Sequence, residues 1–241
     1  MKILTLIPNF GNGNISYLKN LLENLNLITS IDFDIILFST QYNDSLTDLI
    51  KKEIVCLESI GTNLTLEPYR YLATNSITDY DYIFYTENDL LFTEQNFTSF
   101  FKWHEKLKPT AVPGFVRYEV KDSTRYLVDA HELPSPPITM VDFKEYVQFS
   151  NTHAGCWLLS TSQYTILMLK GLYPGHTMED RASNVYKGPW PGSDIGFPKL
   201  IPCEDFENFL IHHQPNKYCH VYPTGQPTVD SYLEQFNETP H

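Results

Sequence analysis

An alternation of buried strands and amphipathic helices along residues 1–90 constrains the fold more than any other feature of this sequence. Ile3-Leu4-Thr5-Leu6-Ile7-Pro8 is a short, almost wholly apolar run, the pattern of a strand covered on both faces. It ends at Pro8 and gives way to Asn9-Phe10-Gly11-Asn12-Gly13-Asn14, a loop whose glycines and asparagines tolerate positive φ. From about Ser16, Leu18, Leu21, Leu22 and Leu25 recur at helical spacing. Residues 33–38 are a second buried strand, 44–52 suit a helix, and 53–57 a third strand. Pro68 opens a helix that carries Tyr69, Arg70, Leu72 and Ala73, because proline is well tolerated in a first turn. Residues 80–85 are a fourth strand.

Repeats of this kind imply a parallel, doubly wound sheet with helices on its faces. Ligands of such sheets bind beyond the carboxyl ends of the strands. The candidate ligand contacts are therefore residues 8–14 after the first strand, led by Pro8, Asn9 and Phe10, with Ser39 and Thr40 after the second, and Glu87, Asn88 and Asp89 after the fourth. Arg70, in the helix before the fourth strand, is a further candidate for a phosphate or a base.

Beyond residue 90 the alternation weakens. Residues 97–107 suit a helix with Trp103 on its apolar side, and 111–120 and 126–128 read as strands. A proline-rich connection at 133–138 follows, then a strand at 153–160 and a helix at 162–170. Residues 171–202, rich in glycine and proline, read as a long functional loop with a short helix inside it, and 206–213 as a late strand.

At 241 residues the chain suits one large domain that folds without staples. Its 42% hydrophobic and 14% aromatic content excludes general disorder. The formal net charge of −12 opposes phosphate backbones and anionic membranes, so no nucleic-acid partner is expected. An acidic chain that handles phosphate ligands needs a divalent cation between the two negative partners. Cys56, Cys156, Cys203 and Cys219 form no CxxC pair and read as reduced thiols. The first residues carry too short an apolar run for a leader peptide, and no stretch approaches the ~20 apolar residues of a spanning helix. A cytoplasmic location without a transmembrane segment is the expectation.

The acidic triplet Glu87-Asn88-Asp89 interrupts an apolar run between Tyr85 and Leu90. Alternate residues of an extended chain point the same way, so Glu87 and Asp89 converge while Asn88 turns aside. Two carboxylates suit a hard cation such as Mg²⁺ or Mn²⁺, which leaves its other positions to water and substrate phosphate.

With this triplet after a central strand, the chain resembles the nucleotide-sugar glycosyltransferases of the GT-A fold. That family has a Rossmann-like N-terminal half and an Asp-x-Asp motif that holds a divalent metal on the donor diphosphate. Glu87 departs from the family pattern by one methylene and keeps the charge. The later motifs come in the family's order. A glycine-containing strand is found at His153-Ala-Gly-Cys-Trp-Leu-Leu159, an acidic pair of the inverting members at Glu179-Asp180, and a late histidine at His212-His213.

The resemblance implies a mixed, mainly parallel α/β sheet flanked by helices, in one catalytic domain over residues 1–241. About residues 1–92 would bind the nucleotide sugar, and about 93–241 would bind the acceptor and carry the catalysis. It implies Asp89 as direct metal ligand, Glu87 as a second or indirect one, and one of His212 and His213 as a further one. Mn²⁺ or Mg²⁺ is the implied cofactor. The partners are a UDP-, GDP- or dTDP-sugar and a glycan or other hydroxyl acceptor.

Inverting transfer needs a carboxylate to take the acceptor's proton as it attacks. Asp180 is the candidate base, with Glu179 second and Asp194, Glu204 and Asp205 as rivals; a retaining enzyme needs no such base. Trp190, Arg117 and Tyr118 are the candidate acceptor contacts, while Trp157, in an apolar strand, reads as core. Two other readings compete: a nucleotidyltransferase or phosphohydrolase using the same carboxylates, and a non-catalytic sugar-binding domain. The loop after the first strand contains no Lys or Arg, which counts against the former.

Overall fold

The structure, a computed structural model, describes residues 1–56, 61–128, 138–141, 144–148, 155–169, 197–215 and 228–238. Its elements run β1 (Lys2–Asn9), α1 (Ile15–Leu27), β2 (Asp32–Ser39), β3 (Lys52–Val55), α2 (Glu67–Thr74), β4 (Tyr82–Thr86), β5 (Leu90–Leu91) and α3 (Glu94–Leu107). There follow β6 (Val112–Pro113), β7 (Val116–Lys121), β8 (Thr124–Leu127), β9 (Ile138–Val141), β10 (Lys144–Val147), β11 (Cys156–Ser160), α4 (Thr161–Leu169), β12 (Lys199–Pro202), β13 (Leu210–His213) and α5 (Val229–Glu238). The fold is mixed α/β, and its largest sheet is mainly parallel, as expected. Among the described residues no helix is long and apolar enough to cross a membrane.

The described elements fall into two compact units. The first gathers Met1–Asp89 with β11 and α4, and the second takes the rest from Leu90 onward. The chain thus leaves the first unit after Asp89 and returns to it at Gly155.

In the first unit the strand order is β11-β4-β1-β2-β3. β1 lies parallel between β2 and β4, and β3 extends the parallel set beyond β2. β11 closes the sheet antiparallel to β4, with Trp157 opposite Tyr85. Ile3, Leu4, Leu6 and Ile7 are wholly buried, which explains why β1 reads as an unbroken apolar run. The α1 leucines Leu18, Leu21, Leu22 and Leu25 form its single buried face. Pro68 sits in the first turn of α2.

Two local expectations are corrected here. β1 does not end at Pro8 but continues through Asn9, pairing Pro8 with Phe38 and Asn9 with Ser39. The ladder from β1 to β4 stops at Leu6, so β1 has an open edge there, where a proline is tolerated. Residues 44–49 form a 3₁₀ turn with only Leu46 buried, too short a face for the helix expected over 44–52.

The second unit holds two four-stranded sheets, ordered β6-β12-β10-β9 and β5-β13-β7-β8. α3 is capped by Thr93: its hydroxyl accepts from the Asn96 amide while the Asn96 side chain accepts from the Thr93 N–H. Asn96 Nδ2 also donates to the carbonyls of Asn208 at 2.7 Å and Leu210 at 3.1 Å, which ties the start of α3 to the start of β13. The late strand is shorter than expected, because residues 203–209 coil as a 3₁₀ segment that buries Phe206 and Phe209 three positions apart. Residues 199–202, expected within a loop, form β12.

Candidate functional site

The site is built at the carboxyl ends of β1 and β4, neighbours at the centre of the first sheet. β4 is buried along its whole length and delivers Glu87, Asn88 and Asp89 just past its last residue, Thr86. The turn is held from behind by backbone: the Glu87 N–H donates to the Gly155 carbonyl at 2.8 Å. Gly155 has a φ of 65°, a left-handed conformation that favours glycine, at the point where the chain enters β11. The Thr86 hydroxyl donates to the Glu87 carbonyl at 3.0 Å.

Glu87, Asn88 and Asp89 line a pocket of about 220 Å³ together with Pro8, Phe10, Asn14, Leu64 and Thr65. The lining thus combines two acidic residues with an apolar and amide-bearing set. Phe10 is 55% exposed at the rim, the kind of apolar surface that a flat ring can cover. Burial, then the negative charge of Glu87, and more weakly that of Asp89, push the buried Tyr85 phenol well above its ordinary range.

The structure brings Pro8, Glu87, Asn88 and Asp89 together, as the strand-end rule implies. Asn9 and Ser39 are not among the residues lining the pocket. Asn9 is wholly buried and accepts from Asn88 Nδ2 at 2.6 Å, while its own Nδ2 donates to the Gly11 carbonyl at 3.1 Å. Ser39 is buried, and its hydroxyl donates to Glu53 Oε1 at 2.6 Å. Arg70 is exposed on α2 and forms an ion pair with Glu67 one turn earlier. Leu64 and Thr65 were not singled out from sequence. They follow the third parallel strand, so the strand-end rule held a signal for them.

His212 and His213 lie on β13 in the second unit and face opposite ways. His213 is buried, with Nδ1 2.5 Å from Oε1 of the buried Glu119. His212 stacks on Tyr118, its register partner on β7, with ring centroids 5.3 Å apart. Its Nε2 is buried with no hydrogen-bond partner among the described residues. Burial, and then the neighbouring His213, lower the His212 pKa. Burial raises that of Tyr118. Arg117 is buried on the same strand.

Of the rival acids, Asp205 accepts from Trp103 Nε1 at 2.6 Å and from Asn208 Nδ2 at 2.5 Å. Glu204 pairs with Lys144 at 2.9 Å. Both thus serve contacts within the second unit. Glu179, Asp180, Trp190 and Asp194 lie outside the described residues.

Two carboxylates in one pocket lining are hard oxygen donors of the kind that fit Mg²⁺ or Mn²⁺. Among the described residues no group of three or more His, Cys, Asp and Glu side chains is gathered for a metal ion. Glu87 and Asp89 are the two acidic residues among those lining the pocket.

No protein-family model and no curated protein matches the chain. Among solved structures it is similar to the apo-form glycosyltransferase GlyE of Streptococcus pneumoniae TIGR4, at 13% identity over 78% of this chain and 41% of that one, TM-score 0.39. It is similar to residues 1–349 of S. aureus TarS, at 12% identity over 72% and 50% of the two chains, TM-score 0.38. A third is a glycosyltransferase involved in glycosylating the major capsid of PBCV-1, at 11% identity over 99% and 100%, TM-score 0.41. The chain thus spans 41% of the GlyE chain. These likenesses are remote, with identities of 11–13%.

Proposed function

We propose that the chain is a metal-dependent glycosyltransferase that moves a sugar from a nucleotide-diphosphate donor to a hydroxyl acceptor with inversion. One observation carries this reading: Glu87 and Asp89 line the same pocket as Pro8 and Phe10, at the carboxyl ends of two adjacent parallel strands. A nucleotide diphosphate needs both surfaces. Its base and ribose need an apolar, amide-lined wall, and its diphosphate needs carboxylates that recruit a cation.

In this reading Asp89 and Glu87 hold Mn²⁺ or Mg²⁺. The bound cation supplies charge stabilisation for the leaving diphosphate, a Lewis-acid role. Phe10 covers one face of the base, and Asn14 offers both a donor and an acceptor at the pocket wall. Asp180, with Glu179 second, is the carboxylate proposed to take the acceptor's proton, and Trp190 and Tyr118 are proposed acceptor contacts.

The test is incubation with Mn²⁺ and a panel of UDP-, GDP- and dTDP-sugars, following donor hydrolysis and transfer to simple glycan acceptors. Metal-dependent turnover of at least one donor is expected. If no donor is bound or consumed while a nucleoside triphosphate or phosphomonoester is, the nucleotidyltransferase or phosphohydrolase reading takes its place.

A further inference from the structure

The middle residue of the acidic turn has a task of its own. Asn88 is 8% exposed, and its Nδ2 donates to Oδ1 of the wholly buried Asn9 at 2.6 Å. Asn9 Nδ2 then donates to the Gly11 carbonyl at 3.1 Å, and the Gly11 N–H donates to the Thr40 hydroxyl at 3.0 Å. One chain of three hydrogen bonds thus joins the ends of β4, β1 and β2. Gly11 holds a φ of 61°, where glycine is favoured. Asn9 must accept on one side and donate on the other, which a carboxylate cannot do and an amide can. Phe10 lies between Asn9 and Gly11, and Asn88 between Glu87 and Asp89. The relay therefore connects the aromatic rim of the pocket to its carboxylates.

We propose that Asn88 and Asn9 are positioning residues that hold Phe10 and the Glu87/Asp89 pair in one fixed relation before a ligand arrives. The proposal rests on reading the pocket as the donor site. Loosening the relay would let the rim and the carboxylates move independently, so a ligand that spans both would pay the cost of ordering them on binding. Neither amide need touch the reacting atoms. The loss should therefore fall on donor binding rather than on the chemical step.

The test uses the full chain with Asn88→Ala, Asn9→Ala, the double variant Asn9→Ala/Asn88→Ala, and the milder Thr40→Val. The last removes only the acceptor for Gly11. Amide hydrogen exchange is read at residues 10–14, with the β1 and β2 core amides as the folding control. In Asn88→Ala, exchange at residues 10–14 should rise on the order of tenfold while the core is unchanged, and Thr40→Val should show a smaller rise centred on Gly11. With Mn²⁺ and whichever donor the wild type turns over, KM should rise about tenfold and kcat should change far less. The double variant should be no worse than the worse single one.

Unchanged exchange at residues 10–14 in both Asn88→Ala and Thr40→Val overturns the proposal. So does a fall in kcat at constant KM, or strict additivity in the double variant. A wild type that turns over no donor sinks the donor reading, while the exchange measurement still decides whether the relay positions the loop.

Discussion

Trp157 on β11 lies flat on Tyr85 of β4, with ring centroids 5.8 Å apart and planes 9° from parallel. Its indole N–H donates to the Tyr69 hydroxyl at 3.1 Å, and Tyr69 stacks on both rings. The stack belongs to the buried core beneath the acidic turn, as expected of a tryptophan in an apolar strand.

The two tyrosine hydroxyls of this stack should respond differently to removal. Tyr69→Phe leaves the buried Trp157 N–H without its acceptor and should cost about 1–3 kcal/mol. The Tyr85 hydroxyl is buried with no hydrogen-bond partner among the described residues, so Tyr85→Phe should be neutral or stabilising. Urea unfolding of the two variants decides it. A Tyr85→Phe loss as large as that of Tyr69→Phe contradicts the assignment.

The pair Glu119–His213 is fully enclosed in the second unit, with side-chain exposures of 0% and 5%. Glu119→Ala removes the carboxylate that faces His213 Nδ1 and should destabilise by about 1–3 kcal/mol, whereas Glu119→Gln keeps one hydrogen bond and should cost less. Equal losses for the two variants would show that the hydrogen bond Gln retains contributes little.

Asp34 on β2 sets an acid-side dependence of stability. Burial raises its pKa, but hydrogen bonds from Lys51, Tyr80 and Lys2 outweigh that and hold the carboxyl below its ordinary value of 3.8. A depressed folded-state pKa contributes stability that is present above the unfolded value and is lost as pH falls through the folded one. The stability gap between wild type and Asp34→Asn should therefore be widest near neutrality and shrink below about pH 4. A gap that stays constant to lower pH would mean that the contacts, not the charge, carry the effect.

Cys203 should be a sluggish thiol. Burial, and then the nearby Glu145 charge, push its pKa from 9.0 to about 11. Only the thiolate is nucleophilic, so alkylation at pH 8 should be on the order of a hundredfold slower than for an ordinary free thiol. Labelling with iodoacetamide followed by peptide mapping measures this. A rate in the native protein equal to that in urea contradicts the burial.

The first unit was largely legible because its strands are covered on both faces, so Ile3–Ile7 and Phe33–Phe38 stand out as apolar runs between loop residues. The strand-end rule then pointed to Pro8 and the acidic triplet, which do line one pocket. Asn9 lies at the same strand end, but its side chain meets Asn88 and it is not among the residues lining the pocket. Its partner Asn88 is 79 positions away, and a buried amide pair leaves no periodic mark on the sequence.

The second unit was harder to read for local reasons. β9, β10 and β12 are four-residue strands with too few positions to display alternation. The β7–β8 turn uses Asp122 and Ser123 at φ values of 50° and 64°, where an Asn-Gly pair would have announced a hairpin. The Thr93/Asn96 cap of α3 was visible in principle as a Thr-x-x-Asn spacing ahead of Phe97.

Glu87 and Asp89 are proposed to recruit a cation for a nucleotide diphosphate. Calorimetric titration of UDP and GDP into the wild type, Glu87→Ala and Asp89→Ala, each with Mn²⁺ and with EDTA, tests it most directly. A nucleotide should bind the wild type only with Mn²⁺, Asp89→Ala should abolish this binding, and Glu87→Ala should weaken it. Binding that persists in EDTA, or that survives in Asp89→Ala at wild-type strength, would contradict it.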